Sequence, residues 1–218
     1  MYIKKSGWDF TKQLKWLDQY FIGHNGFIAG GFAKSIFQGL KIRDLDIFFY
    51  SVEDMVDAQN YYYSNEEYAT YYENVNVVAF KNIITGVILE LNRKIFGYPE
   101  DILNQFDFTI SKFAYCKLEV TNNPGPDGTP WEDENGSITH IEYLAIYHEN
   151  FFEHLSLKRL VVDYLVPYPA STFHRLFKYG KQGFFPCRGT KIIIMKSCRD
   201  LTDEQIESMQ LYLTDGVD

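Results

Sequence analysis

The chain has 218 residues, enough to bury a core as one large domain or two small ones, and its 46% hydrophobic and 23% charged content is that of an ordinary globular protein. A net charge of −8 excludes a broad nucleic-acid-coating surface, which needs Lys and Arg in number, but leaves room for a local basic groove. No apolar run of roughly 18 residues could span a membrane. "MYIKKSGWDF" lacks a signal-peptide apolar segment, and Cys116, Cys187 and Cys198 match neither a disulfide framework nor a zinc spacing, so a cytoplasmic protein is expected.

In chain order, residues 9–21 space Leu14, Trp16, Leu17, Tyr20 and Phe21 as a helix would. "GFIAG" reads as a short buried strand, Gly30-Gly31 as a turn, and "FAKSIFQ" as two helical turns ended by Gly39. "RDLDIFFYS" is a strand, and Ser51 caps a helix over "VEDMVDAQNYYY". "NVNVVAFKN" and "GVILELNRK" are two further strands, and Pro99 opens the helix "PEDILNQF". "DFTISKFAYCKLEV" mixes both periods and stays unassigned. Residues 121–136 are turn chemistry throughout, a long excursion. From Ser137 onward mostly helix is expected, over "NFFEHLSLKRLVVDYL", "ASTFHRLFKYGKQ" and a last helix, "DLTDEQIESMQLYL", with Thr202 and Gln205 as a capping box. "IIIM", bracketed by Lys191 and Lys196, reads as a strand. Strands before helices give an α+β class: a mixed-sheet head over 1–145 and a helical neck-like region over 146–218.

The chemistry concentrates in "GGFAKSIFQGLKIRDLDIF". On a strand, Asp44 and Asp46 point to one side, roughly 6–7 Å apart, while Leu45 and Ile47 point into the core. Side-by-side carboxylates repel unless a divalent cation sits between them, and magnesium favours carboxylates together with phosphate oxygens. That makes a nucleotide the natural third party, and two ions roughly 3.5–4 Å apart would serve attacking and leaving oxygens. Gly30 and Gly31 let backbone approach a triphosphate, and Lys34 and Ser35 offer an ammonium and a hydroxyl to it. A lone Asp-x-Asp is commonly a solvated strand edge, and a lone Gly-Gly a turn. The weight lies in their combination on a strand–turn–helix–strand frame.

That combination resembles the signature of the DNA polymerase beta-type nucleotidyltransferase superfamily. More narrowly it resembles the head of class II CCA-adding enzymes and bacterial poly(A) polymerases, GG-x-V-R-D-x-L-L-G followed after four residues by D-x-D. Lys34 and Ser35 replace that pattern's arginine and aspartate. The resemblance implies an enzyme moving a nucleoside monophosphate from an NTP to a hydroxyl with pyrophosphate release. It places two Mg²⁺ ions on Asp44 and Asp46, lines the triphosphate with Gly30 and Gly31, and asks for a third carboxylate on a neighbouring strand, for which Glu90 is the candidate. "EDILNQFDFTISKFAYC" is similar to the family segment that contacts the nucleotide's sugar, which puts Asp107 and Thr109 among the nucleotide-binding candidates. Two family arginines are Gln105 and Phe106 here. In "LVPYPASTFHRLFKYGKQGF", similar to the head-to-neck helix, Arg175, Lys178 and Lys181 share a face that could meet phosphate, or could simply be solvated.

The part of CCA-adding enzymes that holds tRNA has no room in this chain. The short, tyrosine-rich form looks like the small nucleotidyltransferase-like proteins of bacteriophages, which implies the cytoplasm of a bacterium or of a phage-infected host. The acceptor stays open between an RNA 3′ end, a small molecule and a protein. A second class stays open as well: a catalytically weak or inactive nucleotide- or protein-binding module that keeps the fold.

Overall fold

The structure is a computed structural model that describes residues 1–122, 138–163, 166, 168–199, 201–204 and 206; for residues 119–122 and 138–140 it describes the backbone alone. The elements run β1 (Tyr2–Ser6), α1 (Thr11–Leu14) between two 3-10 segments, β2 (Phe27–Ala29), α2 (Phe32–Phe37), β3 (Asp44–Phe49), α3 (Val52–Ser64), β4 (Tyr68–Glu73), β5 (Val77–Asn82), β6 (Ile88–Phe96) and α4 (Pro99–Asn104). A 3-10 turn at Thr109–Ser111 leads to β7 (Phe113–Asn122), β8 (Ile138–His148), α5 (Phe151–Ser156), β9 (Arg159–Leu160), α6 (Pro169–Gly180), β10 (Phe185–Pro186) and α7 (Arg188–Arg199).

Eight strands form one mixed sheet in the order β1-β8-β7-β2-β3-β6-β5-β4, in which β3 and β6 run parallel and the other neighbours antiparallel. The α+β class with a mostly helical C-terminal region holds. Alternation along β3 decides which side carries what. Leu45, Ile47 and Phe49 are fully buried in the larger core with Phe80, Leu89, Leu91 and Tyr62 of α3. Burying each such side chain is worth about 1.5–3 kcal/mol, so a one-residue slip of β3 would be prohibitive. Phe48 turns to the opposite side and packs with Phe27, Ala29, Ala114 and Cys116 beneath Ile102 and Leu103 of α4. The same parity brings Asp44 and Asp46 out on the α4 side, where they are exposed.

Local signals account for the flanks. Ser51 Oγ accepts the Asp54 N–H at 3.2 Å and caps α3. Gly39, at φ +68°, ends α2 and donates its N–H to the Ile36 carbonyl at 2.9 Å. Pro99 occupies the first turn of α4.

Four expectations are corrected. The 9–21 helix is broken into 3-10, α and 3-10 pieces, which still bury Leu14, Leu17, Tyr20 and Phe21. The expected helical stretch from Ser137 begins instead with β8, which pairs with β7 along its whole length and carries the sheet past residue 145. The 150–165 helix stops at Ser156, because Lys158 takes φ +54° and turns the chain into β9 at Arg159. "IIIM" lies in α7 rather than a strand. Most of the 121–136 excursion and most of the last expected helix, Gln205 included, fall outside the described residues.

Candidate active site

Glu90 is the direct partner of Asp46 across the parallel β3–β6 pair, so both side chains leave the sheet on one side, next to Asp44. Solvent touches Asp46, yet protein walls surround it. Lost hydration first, then the charges of Glu90 and Asp44, push its carboxyl up to about 7, while Arg175 pulls the other way. Glu90 is raised too, chiefly by desolvation and by Asp44, against the opposing pull of the Tyr72 hydroxyl and Lys178. These carboxylates share too little room to be ionised together comfortably.

Gly30 forms the floor beneath them. Its φ of +108° is a conformation that a side chain resists, and a Cβ there would lie 3.3 Å from Asp46 Oδ2 and 3.3 Å from the Phe106 ring. Its N–H donates to the Phe113 carbonyl at 2.9 Å, which fixes the turn. Gly31, at the N-terminal end of α2, faces the Tyr179 hydroxyl.

Helix α6 closes one side. Thr172, Arg175 and Tyr179 follow one another at spacings of three and four and all face the head. Thr172 Oγ1 donates to Asp107 Oδ2 at 2.9 Å, and Arg175 Nη1 donates to the same oxygen at 2.8 Å. Asp107 Oδ1 accepts the Phe108 N–H at 2.8 Å. Arg175 therefore acts on Asp46 electrostatically from a fixed stance, and the charge of Lys178, one turn on, acts on Glu90. Tyr179 shares a 3.1 Å hydrogen bond with Ser111 Oγ.

The structure thus brings together Asp44, Asp46, Glu90, Gly30, Gly31, Arg175 and Lys178. It places the other candidates elsewhere or in other work. Asp107 is 2% exposed and its oxygens are taken by the backbone, Thr172 and Arg175, so it anchors a helix rather than meeting a sugar. Thr109 is fully buried and shares a 2.8 Å hydrogen bond with His154 Nδ1, which leaves nothing for a nucleotide. Lys34 is buried, donates to Gln182 Oε1 at 2.6 Å and lies against the rings of Tyr179 and Phe184. Ser35 is half-buried on α2, and its carbonyl accepts the Gln38 and Leu40 N–H groups.

Among the described residues, no three carboxylate, imidazole or thiol groups stand close enough together to make a ready metal cage. The donor set still fits magnesium. Asp44 and Asp46 are hard oxygen donors under mutual repulsion, and magnesium characteristically takes one or two carboxylates and completes its shell with water and phosphate. A separate cleft of 420 Å³ lies past the end of β3, lined among others by Tyr50, Tyr98, Cys116 and Ile146; none of the three carboxylates borders it.

A family model described as "Gad2: Gabija anti-defense 2 family protein" matches residues 8–158. The chain belongs to the Gabija anti-defense 2 family. It is 23% identical over 188 residues to "Gabija anti-defense 2" of Bacillus phage SPbetaL7, covering 86% of this chain and 40% of that one. Its fold is that of CCA-adding enzymes. A structure of one with ATP superposes at TM-score 0.61 with 13% identity over 95% of this chain and 50% of that one. A structure with CTP gives 0.58 at 13% identity over 100% and 52%, and the Thermotoga maritima enzyme complexed with tRNA gives 0.56 at 14% over 90% and 46%. The chain spans about half the length of these enzymes and less than half of its phage relative.

For this Gabija anti-defense 2 family member, sequence reasoning missed Thr172, Tyr179 and Gln182, which tie α6 and its sequel to Asp107, Ser111 and Lys34. The helical spacing of Thr172, Arg175 and Tyr179 was the available signal. Tyr72, which lies in one row with Glu90 across β4, β5 and β6, gave none, because only strand register reveals it.

Proposed function

We propose that the protein is a magnesium-dependent nucleotidyltransferase that moves a nucleoside monophosphate from an NTP to a hydroxyl and releases pyrophosphate. The observation that carries this reading is the mutually repelling set Asp44, Asp46 and Glu90 on one side of the sheet, with Asp46 against Gly30 and both Asp46 and Glu90 raised, opposed by Arg175 and Lys178. Asp44 and Asp46 would hold Mg²⁺, which when bound neutralises phosphate charge and polarises the attacking and leaving oxygens. Gly30 and Gly31 offer backbone at close range to a triphosphate. Arg175 and Lys178 supply positive charge where pyrophosphate develops, Ser35 adds a hydroxyl, and Lys34 joins them once Gln182 yields. Glu90, beside Asp46, takes the acceptor's proton. In-line positioning and charge neutralisation supply the rate; no covalent enzyme intermediate is needed.

The family's name points to Gabija as what the activity opposes, and the reading puts that activity in the cytoplasm of a phage-infected host. A surface of net charge −8 favours a small molecule or a protein hydroxyl over a long RNA as acceptor. A second reading, a nucleotide- or protein-binding module without turnover, is favoured by two observations: the Lys34 ammonium is already engaged by Gln182, and Gln105 and Phe106 stand where the resembling family has arginines. Pyrophosphate release from labelled NTPs with Mg²⁺, lost in Asp44→Asn and Asp46→Asn, supports the enzyme. NTP binding with no pyrophosphate release from any of the four nucleotides, host extract being supplied as acceptor, supports the module.

A further inference from the structure

We infer that Tyr72 is a nucleotidyl acceptor built into the site, so that without an outside hydroxyl the chain transfers a nucleoside monophosphate onto its own Tyr72. This rests on the nucleotidyltransferase reading. Tyr72 pairs with Ala79, Ala79 with Glu90, and Glu90 with Asp46, so the four residues form one row across β4, β5, β6 and β3. Directly paired residues share a side of the sheet, which puts the Tyr72 ring on the carboxylate side.

Two strand steps separate the Tyr72 and Glu90 backbones by about 10 Å, a span that a tyrosine and a glutamate bridge between them. The residue in the gap is Ala79, whose methyl is too short to obstruct the ring. The row therefore lets the Tyr72 side chain extend over Ala79 toward the Glu90 carboxylate, and each group shifts the other's hold on its proton. A register shift between Thr70 and Tyr72 breaks the regular pairing of β4 at this point, as a bulge that re-aims a side chain does. Its neighbour Tyr71 has the Lys81 ammonium over its ring at 6.0 Å instead. Tyr72 is 37% exposed, so a bound nucleotide can reach it.

The row thus aims the hydroxyl toward the carboxylate that would take an acceptor's proton, the place an acceptor hydroxyl needs. In the transfer, Tyr72 Oη attacks the α-phosphorus, the Oη–P bond forms, and the P–O bond to the β-phosphate breaks with its electron pair leaving on pyrophosphate. The phenolic proton passes to Glu90. The NTP is the sole co-reactant. Burial and Glu90 keep the free phenol protonated, so its proton leaves as the bond forms.

The test incubates the whole chain with each α-labelled NTP and Mg²⁺, without added acceptor, and maps any label by intact mass and peptide sequencing. We expect one nucleoside monophosphate on Tyr72, loss of that label in Tyr72→Phe and in Asp44→Asn/Asp46→Asn, and its retention in Tyr71→Phe. Label on another residue, or label that survives Tyr72→Phe, overturns the inference. Pyrophosphate release to host-extract acceptors, together with a Tyr72 that stays unlabelled in the acceptor-free incubation, overturns it while leaving the nucleotidyltransferase reading intact. Neither label nor pyrophosphate under any condition removes both. Circular dichroism confirms that each variant is folded.

Discussion

Replacing Asp46 with asparagine should make the metal-free protein more stable, by an amount that grows from about pH 4 to about pH 7 and then holds. The native Asp46 carboxyl is displaced from its ordinary 3.8 up to about 7 by desolvation, Glu90 and Asp44. A native pKa above the unfolded one means that the folded state holds a proton the unfolded state has given up. Stability therefore falls as pH rises from about 4 to about 7, and the full penalty remains above that. Three units at about 1.4 kcal/mol each give about 4 kcal/mol as a ceiling. Solvent reaches this carboxylate, and screening reduces the figure to about 1–2 kcal/mol. Asparagine keeps the shape and removes the charge, so Asp46→Asn should gain that amount at pH 8, a rise in Tm of about 2–8 °C for a chain of this size, and gain nothing at pH 4. Thermal melts in EDTA at the two pH values measure it. Mg²⁺ should then stabilise the wild type at pH 8 and leave Asp46→Asn unmoved. An Asp46→Asn protein less stable than wild type at pH 8, or equally more stable at both pH values, would refute the picture of a strained carboxylate cluster.

Gly30→Ala forces a side chain into φ +108° against Asp46 and Phe106, at a cost of about 1–3 kcal/mol, and should lose pyrophosphate release even where melting shows it still folded. Asp107→Asn removes the charge that holds Arg175; the guanidinium is partly exposed, so we expect a stability loss of about 1 kcal/mol by denaturant titration and a raised KM for NTP. Lys178→Ala should raise that KM roughly tenfold with stability unchanged within about 0.5 kcal/mol, since it is an exposed helix position whose charge acts on Glu90.

The core of the candidate site was legible because its pattern is local. Leu45 and Ile47 alternate with Asp44 and Asp46, Gly39 and Ser51 punctuate the flanks, and the strand needs no distant partner to be recognised. β8 was not legible, because what makes it a strand is β7, joined to it across residues 123–137. β4 left no mark because it buries little: five of its six residues are exposed, so alternation carries no contrast. The run of isoleucines in α7 has strand propensity, and tertiary packing of Thr190 and Ile194 overrides it. Lys158 breaks the expected helix with a positive φ that no lysine announces. Asp107 and Thr109 matched a motif letter for letter, yet the structure uses them for Arg175 and His154, since a motif carries residue types and not their partners.

The most direct trial of the account is a crystal structure with a non-hydrolysable NTP and Mg²⁺. The account predicts the triphosphate along Gly30 and Gly31, with cation density bridging its oxygens to Asp44 and Asp46. A nucleotide seated in the Tyr50–Tyr98 cleft, or bound with the two aspartates unligated, would contradict it.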